Sequence, residues 1–445
     1  MASVEWKQPA AIFGRAGYGL TIGERIGPIL TLMAVLYNLF LCFANTVVLT
    51  ISPAVVISAE VVLIGSALAM VWHRSFVLNA LLVALAAYFY TVMMIRAQFD
   101  PKILRDVLIP IAFFFLGCHF GTLRAADRLV SLLIIVAFAV ALFEWLAPTT
   151  YSHYFNVARY YIERGTANQE EHQFFGGFFN SARFQNRTLL PILGDHRVSG
   201  IFLEAPSVGN FGGISFAWIL LRPKRLWSFL LKTAAVLIIV VLADARFGLY
   251  FCLFVAAIYP LSRFIPRTML FIGPFVAMIA LVTYASAVGP KVFDNDLVGR
   301  FIYAGQILSR IYAAQVFGMG ASDISTDASF AADPVNDSAY TYVLVEIGIL
   351  GAGALWALFI YSRVADRTAW RFKIVVAFYY ILILTIAASA FTIKTAALLW
   401  FLYGTLNRRY DGRVFAGPSW HGILQGANHR RHFAPVAYRK SRILS

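Results

Sequence analysis

Charge is what this sequence has least of. Only 13% of its 445 residues are Asp, Glu, Lys or Arg, about half the share in a soluble domain, and 60% are hydrophobic. A mean hydropathy of +0.73 excludes a soluble globular chain and identifies an integral membrane protein. Cysteine is scarce as well. Cys42, Cys118 and Cys252 each lie in an apolar run at no metal-ligand spacing, so they read as small buried hydrophobes, and neither a disulfide framework nor a metal site follows. No internal repeat and no low-complexity tract is evident. The first apolar run begins near Gly27 and leads directly into a second, which predicts an uncleaved signal anchor rather than a separate signal peptide.

Long apolar runs are what the sequence has instead. A spanning helix needs about 20 mostly apolar residues, and twelve stretches qualify as candidates: 27–46, 53–72, 76–95, 107–123, 129–147, 199–221, 226–243, 247–261, 268–288, 339–362, 374–393 and 395–406. The last is short enough to be re-entrant. The fold class expected is therefore an all-α polytopic membrane protein of about twelve transmembrane helices. One set of connections is short and basic, as in "RPKR" at 222–225, and the other holds two long segments, 148–198 and 289–338. The positive-inside rule puts the basic set in the cytoplasm. With both termini inside, 24 of the 37 Lys and Arg residues fall on that side and 13 on the other. Residues 1–26 then form a cytoplasmic N-terminal segment, 27–406 the transmembrane domain, and 407–445 a basic cytoplasmic tail. That tail sets eight basic residues against Asp411; next to a last helix it reads as an orientation signal that touches anionic membrane lipid, not as a nucleic-acid binder.

Charges at membrane depth cost about 2.5–3.5 kcal/mol each at a helix centre, so each needs a reason. Six gather at the outer face in this topology: Arg197 and Glu204, Asp244 and Arg246, Arg300, and Asp337. Asp244 and Arg246 could be a plain interfacial ion pair, and Asp337 a helix cap. Glu204 is harder to dismiss, because Pro206 follows it and a broken helix at membrane depth is tolerated chiefly where it lines a cavity. Glycines 209, 212 and 213 suit close helix packing. The loop at 151–195 mixes Tyr and Phe with Arg, Asn and Gln, which fits either sugar recognition or a helix lying in the interface. "DND" at 294–296 imitates a metal-and-sugar-nucleotide pair, but on the side where sugar nucleotides are not supplied.

"RVSGIFLEAPSVGNFGG", "ADARFG", and "GRFIYAGQIL" followed by "VFGMGASD" and "NDSAYTYVLVEIGILG" together resemble, in order and spacing, the outer-face motifs of the O-antigen ligase and polymerase superfamily. The closest likeness is to Wzy-type exopolysaccharide polymerases of the xanthan kind, across about residues 195–355. The resemblance implies a membrane glycosyltransferase C type fold and a substrate in the outer leaflet, an oligosaccharide repeat unit on undecaprenyl diphosphate. It also implies transfer of the growing chain to a hydroxyl of the next lipid-linked unit, with no nucleotide, metal or other cofactor. A flippase and chain-length or export proteins would be the partners.

Arginines suit a leaving diphosphate, because guanidinium is always charged and bidentate. Arg246 and Arg300 are the first candidates and Arg197 the next. Asp337 or Glu204 is the candidate base for the acceptor hydroxyl. Ligases of the superfamily usually carry His where the spacing back from Glu346 lands on Asp337 here, a departure that favours polymerase over ligase. A ligase-type transferase and a lipid-linked oligosaccharide flippase are the alternatives.

Overall fold

A computed structural model describes residues 22–96, 101–165, 174–175, 177–179, 181, 190–223, 225–289, 297–309, 316–318, 339–383 and 391–408. Helix follows helix: α1 Ile22–Val47, α2 Pro53–Trp72, α3 Phe76–Arg96, α4 Pro101–Phe120 and α5 Leu123–Leu146. Two short helices, α6 Pro148–Tyr154 and α7 Val157–Glu163, lead to a hairpin in which β1 Phe174–Phe175 pairs antiparallel with β2 Phe178–Phe179. The bundle resumes with α8 Ala205–Leu221, α9 Leu226–Leu242, α10 Arg246–Leu261, α11 Arg267–Val288 and α12 Leu297–Ser309. It closes with α13 Ala339–Tyr361, α14 Arg367–Ile383 and α15 Ile393–Leu406.

Each of the twelve apolar runs holds a helix, and among the described residues five helices are long and apolar enough to cross a membrane. Their outer faces suit lipid: on α2, Ile57, Val61 and Val62 are more than half exposed, a pattern that would be unfavourable in water. The molecule is a mostly helical membrane protein.

Several helix ends depart from the apolar runs, each for a local reason. α4 starts at Pro101, ahead of the run at 107, because Arg105 on its second turn pairs with both Asp106 and Glu60. α14 starts at Arg367, well before 374; Arg371 donates to the Tyr259 hydroxyl (2.9 Å) and Lys373 to Ser362 (2.7 and 3.0 Å), so the charges do not stop the helix. α8 begins only at Ala205, after a 3-10 turn over Gly200–Phe202. α13 is broken at Gly348 (φ 67°), where the 316–318 segment presses so closely that a Cβ would lie 2.3 Å from the Gly318 nitrogen.

Small residues set the closest helix crossings. α4 meets α15 at Gly117 and Gly404, where an added Cβ would stand 2.3 Å from the Phe401 carbonyl and 2.0 Å from that of Phe114. α8 meets α10 at Gly209 and Gly248, and Gly212 and Gly213 seat Val240 and Phe251. The three α8 glycines are therefore packing residues. Residues 1–21 and 409–445, the bulk of both tails, and most of 289–338 lie outside the described residues.

Candidate functional site

The site is built by a turn that the sequence makes necessary. At the end of α5, Glu144 is fully buried, and an isolated carboxylate there would be costly. It accepts hydrogen bonds from the Ser199 amide (2.9 Å), the Ser199 hydroxyl (3.0 Å) and the Gly200 amide (2.6 Å), with His196 Nε2 at 2.9 Å. This clamp fixes residues 196–200 against the bundle. The 3-10 turn follows, and Leu203 then takes a left-handed conformation (φ 61°), which costs an L-residue about 1–2 kcal/mol. Complete burial of Ile201, Phe202 and Leu203 offsets that strain. The product is Glu204 at the N-cap of α8.

As a cap, Glu204 makes no bond to its own helix amides. Its side chain engages two other elements and one hydroxyl of α8 instead. Tyr161 of α7 donates to Oε1 at 2.5 Å, while Lys394 on the first turn of α15 (2.6 Å) and Ser207 (3.0 Å) donate to Oε2. Lys394 also reaches the Phe202 carbonyl at 3.3 Å. Its side chain is 4% exposed, against 30% for that of Glu204, so the carboxylate is the open half of the pair.

The open surface of Glu204 faces a cavity of about 250 Å³, also lined by Tyr37, Glu60, Arg105, Tyr161, Arg164 and Lys394. Two carboxylates and three cations thus share one wall. Glu60, buried in the interior of α2, accepts from the Tyr37 hydroxyl and from Arg105 (2.6 Å), and Arg105 also holds Asp106 at 2.6 Å. Arg164 caps α7 and lies 6.0 Å from the Tyr161 ring centroid. Burial disfavours its charge, but the oxygens of Tyr37, Tyr161, Tyr160 and Glu60 outweigh burial and raise its pKa. Burial, with Glu204 adding to it, holds the Tyr161 phenol well above its ordinary range; burial pushes the Tyr160 phenol up to about 12. Both phenols remain donors at neutral pH, Tyr160 to Asn38 at 3.0 Å.

Several described aromatic side chains of α6, α7 and β2 serve packing. Tyr151 is fully buried, stacks on Phe155 and Phe178, and donates to the Gly200 carbonyl at 3.0 Å. Tyr161 stacks on Phe179. Of these rings, Tyr161 and Phe179 line the cavity.

The structure brings Glu204 into the cavity and sorts the arginines differently. Arg197 donates to the Ala243 carbonyl at 3.3 Å, and the Val198 amide donates to the Leu242 carbonyl at 3.2 Å. Arg197 therefore lies along the α9–α10 turn that carries Arg246, which stands 4.0 Å from Asp244 Oδ1 and is 40% exposed. Asp244 itself is left-handed (φ 47°) and nearly buried. Arg300 sits on α12, which packs chiefly on α11 and α13, away from the elements that carry Glu204 and Lys394. Asp337 and "DND" lie outside the described residues. Glu60, Arg105, Arg164 and Lys394 are the residues that the outer-face reading misses; a lone carboxylate within "AVVISAEVVLIG" and a lone cation in "FTIKTAALLW" are the signals that the membrane-cost argument offers for two of them.

Among the described residues, no group of three or more His, Cys, Asp or Glu could hold a metal ion. No family model, curated protein or solved structure matches this chain.

Proposed function

We propose that the protein is a bacterial exopolysaccharide polymerase. It transfers a growing glycan from undecaprenyl diphosphate to the next lipid-linked repeat unit at the periplasmic face of the inner membrane, within a twelve-span frame of the membrane glycosyltransferase C type. The observation that carries this reading is the cavity in which Glu204, singled out by sequence, meets Lys394, Arg105 and Arg164.

In the reaction the acceptor oxygen forms a bond to the anomeric carbon as the bond from that carbon to the diphosphate oxygen breaks. Negative charge builds on the diphosphate, and cations aimed at it in a partly dry site stabilise it. Lys394 and Arg164 are the cations given this role, and Arg105 orders the wall behind them through Glu60 and Asp106. Arg197 and Arg246, together on one turn, are candidate phosphate contacts at the rim, and Arg300 and Asp337 are assigned to the second long loop.

A carboxylate held by three donors is a weak base. An arriving diphosphate competes for Lys394, and a Glu204 released from that cation binds a proton more readily. Substrate binding thereby prepares the base that removes the acceptor's proton. The Glu60–Arg105 pair between α2 and α4 favours a second reading, since intramembrane ion pairs also mark transport paths; on that reading the protein is a lipid-linked oligosaccharide flippase.

Complementation of a polymerase-deficient producer with Glu204→Gln, Arg164→Ala and Arg246→Ala separates the two, with membrane levels checked by blot. A polymerase leaves single repeat units on lipid outside the cell in the Glu204 and Arg164 variants. A flippase restores no polymer in this strain even as wild type, because the strain already presents its repeat units outside.

A further inference from the structure

Lys232 is a cation at membrane depth that pairs with no carboxylate among the described residues. α9 begins at Leu226, which sets Lys232 about 9 Å along the helix at 1.5 Å per residue. A lysine so placed can snorkel back to water. This one turns across to α5 instead: its amine donates to the Ser131 hydroxyl at 2.6 Å, and Ser131 donates onward to the Asp127 carbonyl at 2.6 Å. Among the described residues Ser131 is its one hydrogen-bond partner, although an ammonium group has three protons to donate.

The amine borders a polar cleft where α5, α8 and α9 meet. Asp127, Ser131, Trp218, Arg222, Ser228 and Lys232 line a cavity of about 30 Å³. Asp127 is the one acid in this lining, and it is engaged already: the Trp218 indole donates to it at 3.0 Å and Arg222 stands 3.5 Å away. Arg222 also keeps a buried Nε with no hydrogen-bond partner among the described residues. Two cations thus face the cleft against one acid. α9 adds to the imbalance, because a helix N-terminus carries partial positive charge. Its N-cap is Arg225, no side chain caps it, and its first turn holds no acid. Such a helix start is unfavourable alone and favourable beside an anion.

We propose that this cleft binds the phosphate of an anionic phospholipid of the cytoplasmic leaflet, with Lys232 and Arg222 as its cations and Ser131 and Ser228 as its hydroxyl partners. The site shares no lining residue with the Glu204 cavity and stands whatever reaction that cavity carries out. Size and surroundings choose the ligand. A cavity of about 30 Å³ has room for about two water-sized groups, which suits the outer oxygens of a phosphate and excludes a sugar ring or a nucleobase. Beside it on α9, Trp227 is 76% and Leu231 69% exposed. Acyl chains cover a surface of that kind, and an indole at its edge suits the membrane interface. The positive-inside rule puts the basic turn at 222–225 on the cytoplasmic side, where basic clefts between helices attract anionic headgroups.

Binding of phosphatidylglycerol, phosphatidylcholine and inorganic phosphate is measured on the full chain in detergent by native mass spectrometry, with the melting temperature as the check on folding. Lys232→Met keeps the length of the side chain and suits a membrane helix; it should lose tenfold or more in phosphatidylglycerol affinity without a lower melting temperature. Ser228→Glu places a carboxylate four residues ahead of Lys232, the favourable order for a helical ion pair. It should cause the same loss by meeting the amine from within the chain. Arg263→Gln removes one cation from the basic turn between α10 and α11 and should change affinity less than twofold. Phosphatidylcholine should bind at least tenfold more weakly than phosphatidylglycerol, and an excess of inorganic phosphate should not displace the lipid. Wild-type affinity in either folded cleft variant overturns the site; if Lys232→Met does not fold, Ser228→Glu decides alone. A loss in Arg263→Gln as large as theirs also overturns it, because net charge would then explain the binding. Equal binding of phosphatidylcholine removes the anionic selectivity, and displacement by inorganic phosphate overturns the lipid as the source of the phosphate.

Discussion

At the residue scale the account turns on Glu204 and Lys394. A buried ion pair is weak evidence of stabilisation, but breaking one side is costly, about 3–5 kcal/mol, because a charge is left behind. Lys394→Ala should therefore lower the melting temperature sharply, while Glu204→Gln with Lys394→Met should recover most of the loss. None of these variants should polymerise. A double variant that is stable and active would reduce the pair to a structural contact. Tyr161 and Tyr160 give a pH prediction with a definite sign. Their folded pKa values lie above the ordinary 10.0, so the fold favours their protonated forms. Their stabilising contribution is complete below pH 10 and fades as pH rises toward 12 and beyond. A thermal-melt series from pH 9 to 12 should show a steeper fall for wild type than for Tyr160→Phe with Tyr161→Phe; parallel curves would contradict it.

At the element scale, α15 carries Lys394 to the cavity and α4 carries Arg105, so the crossing at Gly117 and Gly404 sets where two cations stand. Gly404→Val puts a Cβ about where the Phe114 carbonyl already is. Overpacking of this kind typically costs about 1–3 kcal/mol, and here it should also lower diphosphate affinity, whereas Gly353→Ala on α13, where an added Cβ meets no atom within 4 Å, should not destabilise the chain. The contrast between the two glycines, read by melting temperature, checks the helix placement. The elements themselves were legible in sequence because a spanning helix needs a long apolar run, and twelve such runs each hold a helix. Their ends were less so. Arg105 precedes the apolar run at 107, and Lys394 falls between two runs, so both read as connections, although each lies on a helix turn whose charge finds a partner across the bundle. Partners of that kind are separated by 45 and 190 residues, and no local pattern announces them. Glu60 was within reach, since a lone carboxylate mid-run carries the same cost as Glu204; Arg164, in a loop of several arginines, carried no such signal.

At the scale of the whole molecule, Tyr161, Arg164, Phe179 and Glu204 line the charged cavity, and the proposed function requires that cavity to face outward. The native cysteines are all buried, so single introduced cysteines report topology cleanly. Ile192→Cys, at a site that is 90% exposed, should react with a membrane-impermeant maleimide in intact cells; Phe264→Cys, 67% exposed in a basic turn, should react only after permeabilisation. The reverse pattern would turn the cavity toward the cytoplasm, where a lipid-linked repeat unit is not yet presented for polymerisation. Arg197 and Arg246 on one turn, and Arg300 on another part of the bundle, show how far topology alone can go: it assigns residues to a face but does not say which of them meet.

The most direct test is reconstitution of the purified chain in proteoliposomes with a single undecaprenyl-diphosphate-linked oligosaccharide, counting glycosidic bonds formed and undecaprenyl diphosphate released. The account predicts a ladder of longer lipid-linked glycans with one undecaprenyl diphosphate freed per bond, and neither product with Glu204→Gln. Movement of the intact lipid-linked unit across the bilayer with no release of undecaprenyl diphosphate would contradict it.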